Sequence, residues 1–157
     1  MSPTVAVRDS WLAAERAAGG DDGLLKQGLA DFGKLVADRQ GTPIWWGVPT
    51  SIFWWVSGTE YLGEIVIRHE LTPDLLASGG HIGYDVATPW RRQGHGTRML
   101  AAGLDECRRL GLRRVLLTIG TENEASRRVC LANGGIHAGQ AGGEDRFWIS
   151  LDGVTSL

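Results

Sequence analysis

Apolar positions recur along this chain with two different periods, and the switches between them mark its elements. Leu25, Leu29, Phe32 and Val36 return at helical spacing, which predicts an amphipathic helix over residues 24–39 despite Gly28 and Gly33 inside it, with its apolar stripe on a sheet. Before it, residues 11–18 read as a short helix ended by Gly19-Gly20. Gln40-Gly41-Thr42-Pro43 breaks the long helix, and the aromatic-rich stretch 44–49 reads as a loop. Residues 51–56, rich in aromatic and branched side chains, predict a strand. The turn Ser57-Gly58-Thr59-Glu60 then joins it to a second strand, 61–68, as a hairpin. A third strand, 81–87, follows the breaker Ser78-Gly79-Gly80.

Helical spacing returns in Leu100, Leu104 and Cys107, with Met99, Gly103 and Leu110 beside that stripe and Gly111 placed to end the helix. Residues 113–119 are a continuous apolar strand. A strand, a helix and a strand in that order imply a parallel pair with a right-handed crossover. Asn123 is placed to cap one more helix, with Ala125, Val129 and Ala132 on one face and a stop at Asn133-Gly134-Gly135. Residues 146–151 form a last strand. The pattern is that of an α/β (α+β) fold: a mixed, mostly antiparallel sheet with helices on both faces.

At 157 residues the chain is expected to be one domain, 1–157, in which 1–23 is the least readable segment. With 43% apolar and 22% charged residues it reads as soluble, and sixteen basic against eighteen acidic residues give a net charge of −2, no general case for nucleic acid. All basic residues except Lys26 and Lys34 are arginine; pairs at 91–92, 108–109, 113–114 and 127–128 leave room for a local basic patch, with Arg108 and Arg109 read as a solvated helix face. Cys107 and Cys130 fall in helices without metal spacing, so no metal is expected and a reduced, cytoplasmic setting is. No apolar run reaches the length that spanning a membrane needs.

Where the third strand gives way to the next helix stands Pro89-Trp90-Arg91-Arg92-Gln93-Gly94-His95-Gly96-Thr97. Glycines let the backbone pass close to a bound group, the first amides of a helix lack partners inside it, and the helix dipole is positive there. A phosphate is the expected guest, with Arg91 and Arg92 beside it. The dinucleotide fingerprint would need a glycine at Met99, and a Walker loop would need Gly-Lys-Ser/Thr; neither is present.

The run from His81 to Pro89, then Arg91-Arg92-Gln93-Gly94-His95-Gly96, then Asn123-Glu124-Ala125-Ser126 after another apolar strand, resembles the GNAT superfamily of acyl-CoA-dependent N-acyltransferases in order and spacing, over roughly residues 48 to 151. The resemblance implies an acyl-CoA-binding core at 81–135, in which the backbone amides of Arg92, Gln93, Gly94, His95, Gly96 and Thr97 wrap the pyrophosphate of acetyl-CoA. The first of two splayed parallel strands, at Tyr84, Asp85 and Val86, then bonds the pantetheine arm as an added strand would. It also implies direct attack of an amine on the thioester in a ternary complex, with the Val86 amide as oxyanion donor. By the same resemblance Asn123, Ser126 and Arg127 touch the coenzyme.

Two positions depart from the family pattern. The tyrosine that many members place seven residues after the asparagine is Cys130 here, a thiol of ordinary pKa near that of the leaving thiolate. The glutamate some members carry on the second parallel strand is Thr118. Candidate bases are therefore His81, Glu64 and Asp85, and alternation puts His81 and Asp85 on one face. His69 reads as a structural hydrogen-bonding residue. Trp54, Trp55 and Trp148 read as core, while Trp45, Trp46 and Trp90 either anchor loops or line an acceptor pocket.

The expected activity is acetyl transfer from acetyl-CoA to a primary amine of a small-molecule or amino-acid-like acceptor, by a monomer or homodimer with no nucleic-acid or membrane partner. Open alternatives are a non-catalytic acyl-CoA-binding module, acetylation of a protein N-terminus or lysine, and a generic phosphate or nucleotide binder.

Overall fold

The structure is a computed structural model that describes residues 1–19 and 23–152. Three helices come first: α1 (Arg8–Ala18), α2 (Gly23–Ala30) and α3 (Phe32–Ala37). Gly19, with φ 63°, closes α1 as expected, while Gly20 lies outside the described residues. The single helix expected over 24–39 is two, because Asp31 leaves helical geometry (φ −158°, ψ 90°) and its side chain accepts from the Lys34 amide as an N-cap. Asp31 competes with the helix locally, which the apolar periodicity passes over.

The expected loop at 44–49 is instead a tight hairpin. Strand β1 (Ile44–Trp45) pairs with the start of β2 (Val48–Ser57) through Trp46 and Gly47, both at positive φ. Next come β3 (Glu60–Arg68), the short α4 (Pro73–Ala77), β4 (Ile82–Val86), α5 (His95–Arg109), β5 (Arg114–Gly120), α6 (Glu124–Ala132), β6 (Ile136–Ala141) and β7 (Glu144–Ser150).

These strands form two sheets, β1-β2-β3-β4 and β5-β7-β6, and every ladder among the described residues is antiparallel. No ladder joins β4 to β5. Their contact is made just before β4, where the His81 amide donates to the Leu116 carbonyl at 2.8 Å and the Leu116 amide donates to His81 Nδ1 at 3.0 Å. Gly80 makes this approach possible: its φ is +63°, and a Cβ there would lie 2.4 Å from the Leu116 carbonyl oxygen.

Two cores flank the first sheet. On one side Ile65, Ile67 and Ile82 meet Met99, Leu100 and Leu104 of α5 and run on to Val115, Leu117 and Phe147 of the second sheet. On the other side Ile52, Trp54 and Tyr61 meet Trp11 and Leu12 of α1 and Phe32, Leu35 and Val36 of α3. Alternation along β2 sends Ile52 and Trp54 to one core and Phe53 and Trp55 to the other. Of the remaining tryptophans, Trp148 is half-buried under Arg114, Trp46 is exposed beneath Arg68, and Trp45 and Trp90 edge the α1 core.

Candidate active site

After β4 the chain makes a 3₁₀ turn over Thr88–Trp90, and Arg92 (φ 62°) and Gly94 (φ 82°) then reverse it into α5. Gly94 is the N-cap and offers no side chain, so the helix start is uncapped. The amides of Arg92, Gln93, Gly94, His95, Gly96 and Thr97 have no protein partner among the described residues. Six neighbouring donors without protein partners at the positive end of a four-turn helix can serve an anion.

Arg91 does not reach over these amides. Its Nε donates to the Val86 carbonyl at 2.8 Å and its Nη2 to Asp85 Oδ1 at 3.1 Å, which folds the side chain back along β4. Arg92 stays exposed, and Arg98 joins it. The Arg98 Nη2 donates to the Gln93 carbonyl at 3.3 Å and lies 3.2 Å from His95 Nδ1, a nitrogen that also accepts from the Trp55 indole at 3.1 Å. Arg98 escaped the sequence reading because only the helical turn brings a residue four beyond Gly94 back to the loop.

The free edge of β4 faces the space between the two sheets. The Ala87 amide donates to Leu62 of β3, and the His81 carbonyl accepts from Arg68 of β3. By alternation Gly83 and Asp85 turn their main chain to β3 too, which leaves the amides of Tyr84 and Val86 on the open edge. The expected trio on this strand thus divides: Tyr84 and Val86 offer main-chain groups, and Asp85 does not. Across the opening, the Tyr84 hydroxyl accepts from Ser126 Oγ at 2.8 Å and sits 3.2 Å from the Ser126 carbonyl. Burial raises the Tyr84 phenol to about 12. Asn123 caps α6 through Oδ1, which accepts from the Ser126 amide at 3.1 Å.

Arg127 points elsewhere. Its guanidinium donates to the fully buried carboxylate of Asp145, which also meets His137 Nε2 at 2.8 Å. One helical step separates Ser126, facing β4, from Arg127, facing β7.

The titratable candidates separate by environment. His81 and Asp85 do not meet: His81 is buried against Leu116, while Asp85 is exposed and paired with Arg91. With Nδ1 accepting an amide, and with burial and then the Arg68 charge lowering its pKa to about 4, His81 is a neutral strap between the sheets. The Cys130 thiol has no exposed surface, and burial raises it to about 11, so the pKa match expected for an acid at this position does not hold. Glu64 remains. It stands opposite Asp85 on the α1 side of β3, accepts from the Trp54 indole at 3.0 Å and lies 3.9 Å from Arg39 Nε. Burial outweighs both contacts and raises its pKa.

A further carboxylate was missed in the sequence. Glu144 of β7 accepts from Ser78 Oγ at 2.6 Å and from Thr118 Oγ1 at 3.5 Å, so an acid stands beside the position where the family pattern would put one. The β5–β7 register, Gly120 opposite Glu144, brings it there. His69 bonds Ser51 Oγ at 2.7 Å, as a structural histidine should. Among the described residues no cluster of three or more His, Cys, Asp or Glu could hold a metal, and no helix is long and apolar enough to cross a membrane.

Comparisons with known proteins find the same fold. The described fold superimposes on Mycobacterium smegmatis RimJ in complex with CoA-disulfide with a TM-score of 0.72 at 20% identity, covering 98% of this chain and 82% of that one. A putative GNAT-family acetyltransferase from Bordetella pertussis gives 0.62 at 21% identity over 95% and 93% of the two chains. The putative acetyltransferase yncA from Salmonella typhimurium, solved with acetyl-CoA, gives 0.57 at 14% identity over 94% and 88%. A search of curated proteins found no match. Residues 25–136 match the acetyltransferase (GNAT) domain family, which spans the uncapped turn, the β4 edge and Asn123 together, and the chain belongs to that family.

Proposed function

We propose that this protein transfers an acetyl group from acetyl-CoA to the primary amine of a small acceptor by direct attack in a ternary complex. The carrying observation is the juxtaposition of six unpartnered amides at the start of α5 with the open Tyr84–Val86 edge of β4. The fit to the coenzyme is a matter of donors. A diphosphate needs several convergent N–H groups, and an amide-bearing arm needs an unpaired strand edge; both stand within one continuous stretch of chain. When bound, acetyl-CoA supplies an activated acyl group. Residues 81–135 are the core that holds it, within a unit of 1–157 that works in the cytosol, where the two free buried thiols stay reduced.

The protein's part is then positional and protolytic. The Val86 amide faces the opening and is the donor for a developing oxyanion. Glu64, on the face of β3 that looks toward α1, takes the proton from the attacking nitrogen, and its raised pKa makes it a better base than a solvated carboxylate. His81 holds the sheets together, and solvent supplies the proton that the leaving thiolate takes up.

Thiol release from acetyl-CoA over a panel of amines tests the reading. Transfer should fall on the acid side as Glu64 protonates, and Glu64→Gln should lower kcat/KM by about 10²–10⁴-fold and flatten that limb. A protein that binds coenzyme A but releases thiol with none of the amines is a binding module, and the proposal fails.

A further inference from the structure

A cleft of about 730 Å³ opens on the α1 side of the first sheet, bounded by the segment that leaves β4 for the coenzyme turn. It is lined by Ala13 and Ala14 of α1, by Ala87, Pro89 and Trp90, and by Tyr61 of β3. The cleft follows from side-chain size: α1 buries Trp11 and Leu12 against the sheet, while Ala13 and Ala14 after them offer only methyl groups to the cleft. Ala87 stands one residue beyond Val86, so the cleft ends beside the proposed reaction centre. Behind Tyr61, outside the lining itself, stands a group of carboxylates. The Tyr61 ring meets Trp54 edge-on at 5.2 Å, the Trp54 indole holds Glu64, and Asp85 lies across the ladder from Glu64. Glu15, next to Ala14, belongs to the same group, its carboxyl raised first by burial and then by Glu64 and Asp85. At the outer rim Arg8 pairs with Asp9, and Glu60 is held by Ser10.

Taking the acetyltransferase reading as given, we infer that this cleft seats the acceptor, and that the acceptor is a primary amine carried on an aromatic body with no carboxylate beside the nitrogen. Flat apolar surface matches Tyr61, Trp90 and the alanine methyls. Glu15, Glu64 and Asp85 behind Tyr61 carry more negative charge than Arg39 and Arg91 beside them balance, so the ammonium form is drawn toward that side and an α-carboxylate is repelled from it. The reaction balances without another reactant. The ammonium gives one proton to Glu64, and the freed amine nitrogen bonds to the acyl carbon and releases its second proton to water; the carbon–sulfur bond breaks, and the sulfur leaves with that electron pair and takes up a proton from water.

Three amines isolate the two features: 2-phenylethylamine, ethylamine, which lacks the ring, and phenylalanine, which adds the carboxylate. We expect kcat/KM for 2-phenylethylamine to exceed both by at least about tenfold, the discrimination that burial of a few carbons supplies. Independently of turnover, saturation-transfer NMR on the coenzyme-free protein should show the phenyl protons of 2-phenylethylamine in contact. Ala13→Trp, at an exposed helical position, fills the cleft and should abolish that signal while leaving the thermal midpoint in place. If other amines are acetylated but 2-phenylethylamine is no better than ethylamine, or if Ala13→Trp changes neither signal nor preference, the cleft assignment is wrong and the transferase reading survives. If no amine releases thiol, the transferase reading is lost, and the NMR signal with its Ala13→Trp control still decides the cleft.

Discussion

His81 shows how a single side chain changes meaning between sequence and structure. A histidine at a strand start beside the glycine turn reads as a base because imidazole titrates near neutrality. In the fold its Nδ1 accepts the Leu116 amide and its own amide reaches the Leu116 carbonyl, so it clasps the main chain at the start of β4 to that of β5. Its folded pKa of about 4 lies below the ordinary 6.5, so between those values the unfolded chain binds the extra proton. The stability it lends is therefore complete above about pH 6.5 and drains as pH falls toward 4. His81→Ala should cost about 1–3 kcal/mol at pH 7 in urea unfolding, the penalty of a buried amide without a partner. The gap to wild type should narrow between pH 6.5 and 4; a constant gap would show that the ring is not the strap. Cys130 makes the same point: its chemistry depends on burial, which no neighbour in sequence reports. Asn123 was readable because a cap acts on the amides of its own first turn.

At the scale of elements, β2, β3, β4, β5, β7 and α5 follow the apolar periods closely; β6 was not expected, because its residues are all exposed and carry no apolar period, and other differences lie where local chemistry overrides the pattern. Asp31 caps and so splits a helix that periodicity runs together, and Trp46-Gly47 folds a short aromatic stretch into a hairpin. The decisive element relation is the divergence of β4 from β5. It rests on Gly80, which alone can hold φ +63° with the Leu116 carbonyl so near. Gly80→Ala should strain both the dihedral and that contact and cost about 2–4 kcal/mol in a urea melt. Because the defect lies at the root of the opening, coenzyme A affinity measured by calorimetry should fall with it. Unchanged affinity in the folded variant would mean that the opening is set elsewhere.

For the molecule as a whole, two cores on opposite faces of one sheet hold a space whose walls come from both sheets. A ligand there should bind only the folded chain. Coenzyme A at a hundred times its dissociation constant should therefore raise the unfolding free energy by about 2.7 kcal/mol, and ATP at the same concentration by less, because it lacks the arm that the β4 edge would take up. Equal stabilisation by ATP would favour a general nucleotide binder. The sequence by itself determined most of the order of strands and helices, β1, β6 and the split at Asp31 aside, and the glycine turn at Arg91–Gly96 and the cap at Asn123, because periodicity, glycine conformations and capping act over a few residues. Only the tertiary structure decided which acids matter, since Glu64, Asp85, Glu15 and Glu144 come from separate elements whose approach is fixed by register and packing. It alone also decided that His81 is a clasp, that Arg127 turns to Asp145, and that Ala13, Tyr61 and Trp90 enclose a cleft. Burial and long-range proximity set those roles, and neither is a property of any short stretch of chain.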